Sequence, residues 1–378
     1  MLRKNIIKIH SFNTLIVDNF MTENDMENFA DLYSDYLICS TSYTTATGMA
    51  ALLNIKHDKI TKELSKRDYD SKFLWQRVKP YVQELTQAKD IITLSLDDSI
   101  EEKLYTDDSE LNCWHYDHTF GRSIKGVNFL TALVEVGGMK LPVGVEFVIK
   151  DTWEVDSKTG KNKRKSSVTK NELFRKMLRE CNGKIHFDYV LADSWYSSVE
   201  NMICCKKDLN RNFIMALKCN RKVALSKENK NKKEYISIET LQPGQQTVEI
   251  WLEELDFPLL LTKQVFKNEN GTVGELYLAC SDLNLSYAQI TTIYKKRWGV
   301  EEYHKSIKSN AGFAKSPTKT IKTQMNHYFL SIVTYVKLEW LKQRTHKNHF
   351  AMKAQIYLAA QKAAQAELAA LVKPRNAA

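Results

Sequence analysis

The stretch YKKRWGVEEYHKSIK, residues 294–308, decides how the rest of the chain is read. It contains no proline and a single glycine, and Ser286 upstream is of a type that caps helices, so a helix is predicted. At about 100° per residue, Tyr294, Arg297, Glu301, Lys305 and Lys308 share an arc of roughly 80°, with His304 at its edge. Val300, Tyr303, Ile307 and Ala311 form a separate apolar stripe that can face a core. One carboxylate therefore stands among three cations and a phenol on a single exposed face. Such a face can be ordinary surface, with Arg297–Glu301 and Glu301–Lys305 as i,i+4 pairs. It can also be an acid that holds a metal, surrounded by groups that grip phosphate. The choice depends on two further acids arriving from elsewhere.

Two apolar runs each end in aspartate: LSLDD at 94–98 and VLAD at 190–193. Both read as strands, and a strand end presents a side chain rigidly at a sheet's edge. Three carboxylates brought together repel one another in a low-dielectric site. Divalent cations make them tolerable. Hard oxygen ligands with no Cys or His select Mg²⁺ or Mn²⁺. Two such ions about 3.5–4 Å apart can activate a water or a 3′-hydroxyl and stabilise the leaving oxygen in phosphodiester transfer.

The pattern Y-x2-R-x3-E-x6-K, filled by Tyr294, Arg297, Glu301 and Lys308, resembles that of bacterial insertion-sequence transposases of the DDE type, the YREK group. Trp298, the Glu301-Glu302 pair and the run Tyr303-His304-Lys305 are similar to the family as well. The resemblance covers the chain from about Thr41 to the low 300s. It implies that Asp98, standing before Ser99 where the family usually has threonine, is the first acid, with its neighbour Asp97 as the alternative. Asp193 in LADSWYSS matches the second acid and Glu301 the third, and all three are then both catalytic and metal-holding.

The implied fold is α/β: a ribonuclease H-like mixed-sheet core with a β-rich insertion, a helical N-terminal domain and a helical C-terminal segment. The implied cofactors are two Mg²⁺ or Mn²⁺ ions. The implied activity is cut-and-paste transposition: cleavage at the element's ends, a hairpin intermediate, and strand transfer into target DNA. A hairpin step needs a base drawn out of the stack and held by an aromatic ring. Trp298 and Tyr277 are the candidates. Arg297, Lys305 and Lys308 are assigned to phosphates near the scissile bond, and Tyr294 to orienting them or contacting the backbone. The implied partners are double-stranded DNA, as terminal inverted repeats and target, and a second copy of the chain in the DNA complex. Two other readings stand beside this one. A DNA-binding protein without catalysis is opposed by the presence of all three acids. A structure-specific nuclease on the same core would cut junctions without joining ends.

The bulk properties agree. With 55 Lys and Arg against 45 Asp and Glu, the formal charge is +10, which favours a polyanionic partner, nucleic acid first. The 7 cysteines include no CxxC pair, which argues against a zinc knuckle or a disulfide framework and fits a reducing cytoplasm. Residues 1–20 lack a signal-peptide core. The most apolar helix, 325–341, carries Asn326, His327, Lys337 and Glu339 and makes a poor membrane span. Together with the resemblance, this implies a bacterial cytoplasmic, nucleoid-associated location. The run WHYDH at 114–118 looks like a metal site, but its spacing forces no shared ion, and a structural or DNA-facing loop is expected.

Along the chain, 1–88 reads as a helical DNA-recognition domain. It has an amphipathic stretch at 20–36 and helices at 45–53 and 58–65, the second capped by Asp58. These two form either a helix-turn-helix or part of a small bundle. A third helix, 71–85, is bent or interrupted by Pro80. Residues 89–218 read as the first part of the core, with strands at 90–96, 126–136, 140–149, 187–192 and 212–217 and helices at 168–181 and 194–205. Basic loops at 161–165 and around Lys218, Arg221 and Lys222 are candidates for tracking DNA, while 227–234 reads as a solvated loop. Residues 219–284 form the β-rich insertion, 285–315 the core helix with the third acid, and 316–378 a helical segment with an alanine-rich end.

Overall fold

Four helices come first: α1 (Phe29–Cys39), α2 (Ala46–Leu53), α3 (His57–Lys66) and α4 (Ser71–Leu85). The structure, a computed structural model, describes residues 29–87, 90–117, 121–157, 160–267 and 271–372. The expectations for residues 1–20, for the start of the amphipathic stretch and for His118 lie outside the described residues. Thr45 caps α2 by accepting from the Gly48 amide, and Asn54 ends it in the left-handed region at φ 52°. Asp58 does not cap α3: Lys56 holds that position, and Asp58 stands in the first turn, where an acid still favours the helix. α4 continues through Pro80.

The sheet is built from β1 (Thr93–Glu102), β2 (Cys113–Asp117), β3 (Arg122–Val136) and β4 (Met139–Phe147), followed by a separate hairpin of β5 (Thr152–Val155) and β6 (Asn162–Lys165). Then come α5 (Lys170–Asn182), β7 (Tyr189–Ala192), α6 (Val199–Ile203) with a π turn after it, and β8 (Asn212–Leu217). β1 pairs antiparallel with β3 along its whole length, from Thr93↔Glu135 to Glu102↔Gly126. It pairs parallel with β7 only from Thr93 to Ser95. β7 pairs parallel with β8, and β4 antiparallel with β3 across the turn Gly137-Gly138, whose φ values of 57° and 77° suit glycine. The order β4-β3-β1-β7-β8, antiparallel on one side of β1 and parallel on the other, is a ribonuclease H-like mixed α/β core.

Several local expectations shift for tertiary reasons. β1 does not stop at the aspartates, because β3 supplies partners for the four residues from Ser99 to Glu102, so Asp97 and Asp98 lie inside the strand. Residues 114–117 belong to β2 rather than a loop, and 161–165 includes β6. The helix expected from residue 194 begins at Val199.

The remaining strands and helices are β9 (Lys222–Val223), α7 (Lys227–Asn231), β10 (Ile236–Ser237), β11 (Val248–Ile250), β12 (Leu259–Lys267), β13 (Val273–Cys280), α8 (Tyr287–Lys295), α9 (Trp298–Asn310), α10 (Ile321–Thr345) and α11 (His349–Val372). β13 pairs with β8, so β11, β12 and β13 extend the central sheet instead of standing apart from it. α10 is buried through its middle, and its polar residues hold the N-terminal helices. Asn326 accepts from the Tyr69 amide at 2.9 Å and donates to the carbonyls of Leu64 at 2.7 Å and Arg67 at 2.6 Å, while His327 meets the Tyr33 hydroxyl at 2.9 Å. No described helix is long and apolar enough to cross a membrane.

Candidate active site

Past Ser95 the ladder between β1 and β7 ends, and the two strands part at the carboxyl end of their parallel pairing. Side chains alternate across β1, so Asp97 and Asp98 face opposite sides. Leu191, the register partner of Ser95, packs with Ile290, Ile293 and Tyr294 of α8. Asp97 shares that side. Arg297 reaches it at 3.1 Å and reaches Glu301 on α9 at 3.4 Å, so one guanidinium bridges two carboxylates. Asp98 is turned the other way: it accepts from the Tyr196 hydroxyl at 2.6 Å and from the Lys170 ammonium at 2.9 Å. Arg297 therefore links Asp97 to Glu301, while the charge of Asp98 acts on Asp193, because a one-residue step along a strand reverses the face. Asp193, one residue past β7, accepts from the Trp195 amide at 2.9 Å.

The motif is not one continuous helix. α8 ends at Lys295 and α9 begins at Trp298, joined by a tight turn in which the amides of Lys296 and Arg297 bond the carbonyls of Ile293 and Tyr294 at 3.1 and 2.9 Å. At the start of α9, Gly299 lies so close to the sheet that a Cβ there would come within 2.6 Å of Glu135 and 3.1 Å of Lys140. Tyr294 stays on α8, buried, and donates to the Ala192 carbonyl at 3.2 Å, which fixes the strand end next to Asp193.

Burial pushes the Asp97 carboxyl well above the usual carboxylate range, and the charges of Asp193 and Glu301 push it further, against the opposing pull of Arg297. Burial raises Asp193 too, offset in part by the Trp195 amide and Arg297. An acid raised on folding stabilises the fold below its unfolded value near about 4, and that stabilisation is lost as pH rises through the folded value. Asp97→Asn is thus expected to gain stability, about 1 kcal/mol, at pH 7 without added metal and to gain none near pH 4. Paired thermal melts of wild type and variant at the two pH values check this.

Among the described residues no three of His, Cys, Asp and Glu stand close enough to share a metal ion. Each carboxylate instead meets a cation or donor of the protein, as described above. The donor set is nonetheless all hard oxygen, and two of its members are destabilised as anions, which is the condition a divalent cation relieves. Asp97, Asp193 and Glu301 offer only carboxylate oxygens, the donor type that hard divalent cations take.

Lys308 does not point into the open. It donates to the Ser99 hydroxyl at 2.9 Å and the Ile100 carbonyl at 2.6 Å, tying α9 to β1. Lys305 is exposed, 5.6 Å from the Phe350 ring centre. Lys308→Ala is therefore expected to cost about 1–3 kcal/mol of stability, read as a lowered melting temperature. Lys305→Ala should leave melting unchanged and reduce the salt slope of duplex binding by about 0.9.

Trp298 is 61% exposed and offers an open ring, whereas Tyr277 is 2% exposed, bonded to Glu275 at 2.9 Å and covered by Lys263. Tyr277 is part of the sheet's packing and presents no face to a base. The basic residues of β6 are matched by acids: Lys163 and Lys165 by Glu154, and Arg164 by Asp108. His115 is buried in β2 with its pKa lowered to about 3, chiefly by burial, and holds its ring nitrogen 3.4 Å from Cys113. Sequence reasoning missed Lys170 and Tyr196. Tyr196 lies three residues beyond Asp193, a visible signal, but nothing in the spacing ties Lys170 to Asp98.

Residues 17–235 match the family model described as DDE superfamily endonuclease, and residues 162–337 match one described as transposase DDE domain. Among solved structures, the Drosophila P element transposase strand transfer complex is similar at 12% identity over 56% of this chain and 51% of that one, with a TM-score of 0.21. The chain thus spans about half the length of that protein, and the likeness is too slight to bear on the fold. No curated protein matches.

Proposed function

Because the chain belongs to the DDE superfamily of endonucleases, we propose that it is a DNA transposase that cuts at the ends of its own element and joins the 3′ ends to target DNA. The observation that carries this reading is the approach of carboxylates from two neighbouring strands and one helix, with Arg297 bridging Asp97 and Glu301. In this reading Asp97 or its neighbour Asp98, with Asp193 and Glu301, holds two Mg²⁺ or Mn²⁺ ions. The ions would supply the charge that activates the attacking oxygen and steadies the leaving one.

The chain's own residues do the rest. Arg297 neutralises two acids in the free protein and turns to a phosphate when DNA arrives. Lys305 holds the backbone from the exposed face of α9. Tyr294 keeps the β7 end, and with it Asp193, in place. Trp298 receives an unstacked base in a cut-and-paste route through a hairpin. Residues 1–88 are assigned to DNA recognition, 89–218 and 285–315 to the core, 219–284 to the β-rich insertion, and 316–378 to a helical segment. The working form is a homodimer on paired inverted repeats, in the bacterial cytoplasm at the nucleoid.

The test is a strand-transfer assay with Mg²⁺ and a DNA duplex carrying the repeats that flank the gene. Cutting followed by joining is expected. A shift in DNA mobility without cutting would leave a binding protein, and cutting of junctions without joining would leave a nuclease.

A further inference from the structure

Trp195 stands two residues beyond Asp193, on the turn between β7 and α6, and is 41% exposed. Its surroundings are specific. The Lys170 ammonium lies 4.8 Å from the ring centre, and the Lys218 ammonium, at the end of β8, lies 6.0 Å away. Lys170 is the same residue that donates to Asp98 at 2.9 Å, so the ring is linked to the carboxylate cluster through one side chain. The Trp195 backbone itself donates to Asp193. The middle of β1 and the ends of two other strands thus converge: β1 brings aspartates, β7 an aspartate and an indole, and β8 a lysine.

The two ammonium groups lie over the ring, so a base takes the ring as the cations move from it to the phosphates. In a closed duplex the base faces are covered by their neighbours, so only an unpaired nucleotide can use it. We propose that Trp195, Lys170 and Lys218 form a stacking site for an unpaired nucleotide next to the scissile phosphate. This is distinct in sequence and element from Trp298 on α9. The site rests on the reading of the acids as the cutting centre. Lys170 is then a positioning residue, steering Asp98 when no nucleotide is bound and the phosphate when one is. Nothing covalent is asked of any of the three.

The test uses the full chain and fluorescence anisotropy with a labelled oligo(dT) strand and a labelled duplex of equal length, without metal. Wild type is expected to bind both. Trp195→Ala should weaken oligo(dT) binding by about 10-fold or more, Trp195→Phe should retain most of it, and both should bind duplex as wild type does. Lys218→Ala should lower the salt slope for oligo(dT) by about 0.7. Equal oligo(dT) affinity for wild type and Trp195→Ala would overturn the stacking site while leaving the transposase reading untouched. A parallel loss of duplex binding in Trp195→Ala and Trp195→Phe would also overturn it, because Trp195 would then serve the fold. Failure of wild type to bind either DNA would sink the transposase reading and this site with it.

Discussion

Glu301→Gln is expected to bind DNA as the wild type does and to lose cutting by more than about 10²-fold, the upper end of what losing a mere supporting partner of a metal ligand costs. The reasoning starts from position. Glu301 is in the first turn of α9 and reaches the cluster only through Arg297 at 3.4 Å. Its side chain is half-exposed, so glutamine, its near-isostere, should fit the same place. What glutamine lacks is the charge that an ion would need. Gel shifts with duplex DNA and single-turnover cleavage in Mg²⁺ separate the two properties. Loss of binding and melting temperature together would instead make Glu301 a structural residue.

The second large effect concerns the neighbouring aspartates. Asp97→Asn is expected to be as damaging to cutting as Glu301→Gln, because Arg297 links Asp97 to Glu301 and the charge of Asp193 acts on it. Asp98→Asn should lose about 10- to 100-fold, as expected of a residue that orients others. Asp98 is held by Tyr196 at one carboxylate oxygen and by Lys170 at the other, so asparagine keeps an acceptor for only one of the two. Parallel single-turnover rates decide. The reverse order would return the first-acid role to Asp98.

Much of this was legible before any coordinates. The apolar runs ending at Leu96 and Ala192 marked the two strands, and the capping residue Ser286 marked a helix start that the structure keeps. The face of Asp97 was not legible, since it depends on where β1 sits in register against β3 and β7. The break at Lys296–Arg297 was hidden as well. The local sequence is helical throughout, and the turn arises where α9 meets Glu135 and Lys140 of the sheet. Lys308 looked like a phosphate ligand because a helical wheel shows exposure within the helix but not the strand it packs on. Lys170 could not have been found, because its tie to Asp98 bridges 72 residues.

The most direct measurement is Mn²⁺ binding to the DNA-bound protein, followed by electron paramagnetic resonance, in wild type and Asp193→Asn. The wild type should take up a pair of ions, and the variant should lose at least one while still holding DNA. Identical Mn²⁺ uptake by both proteins, or none by either, would contradict the account.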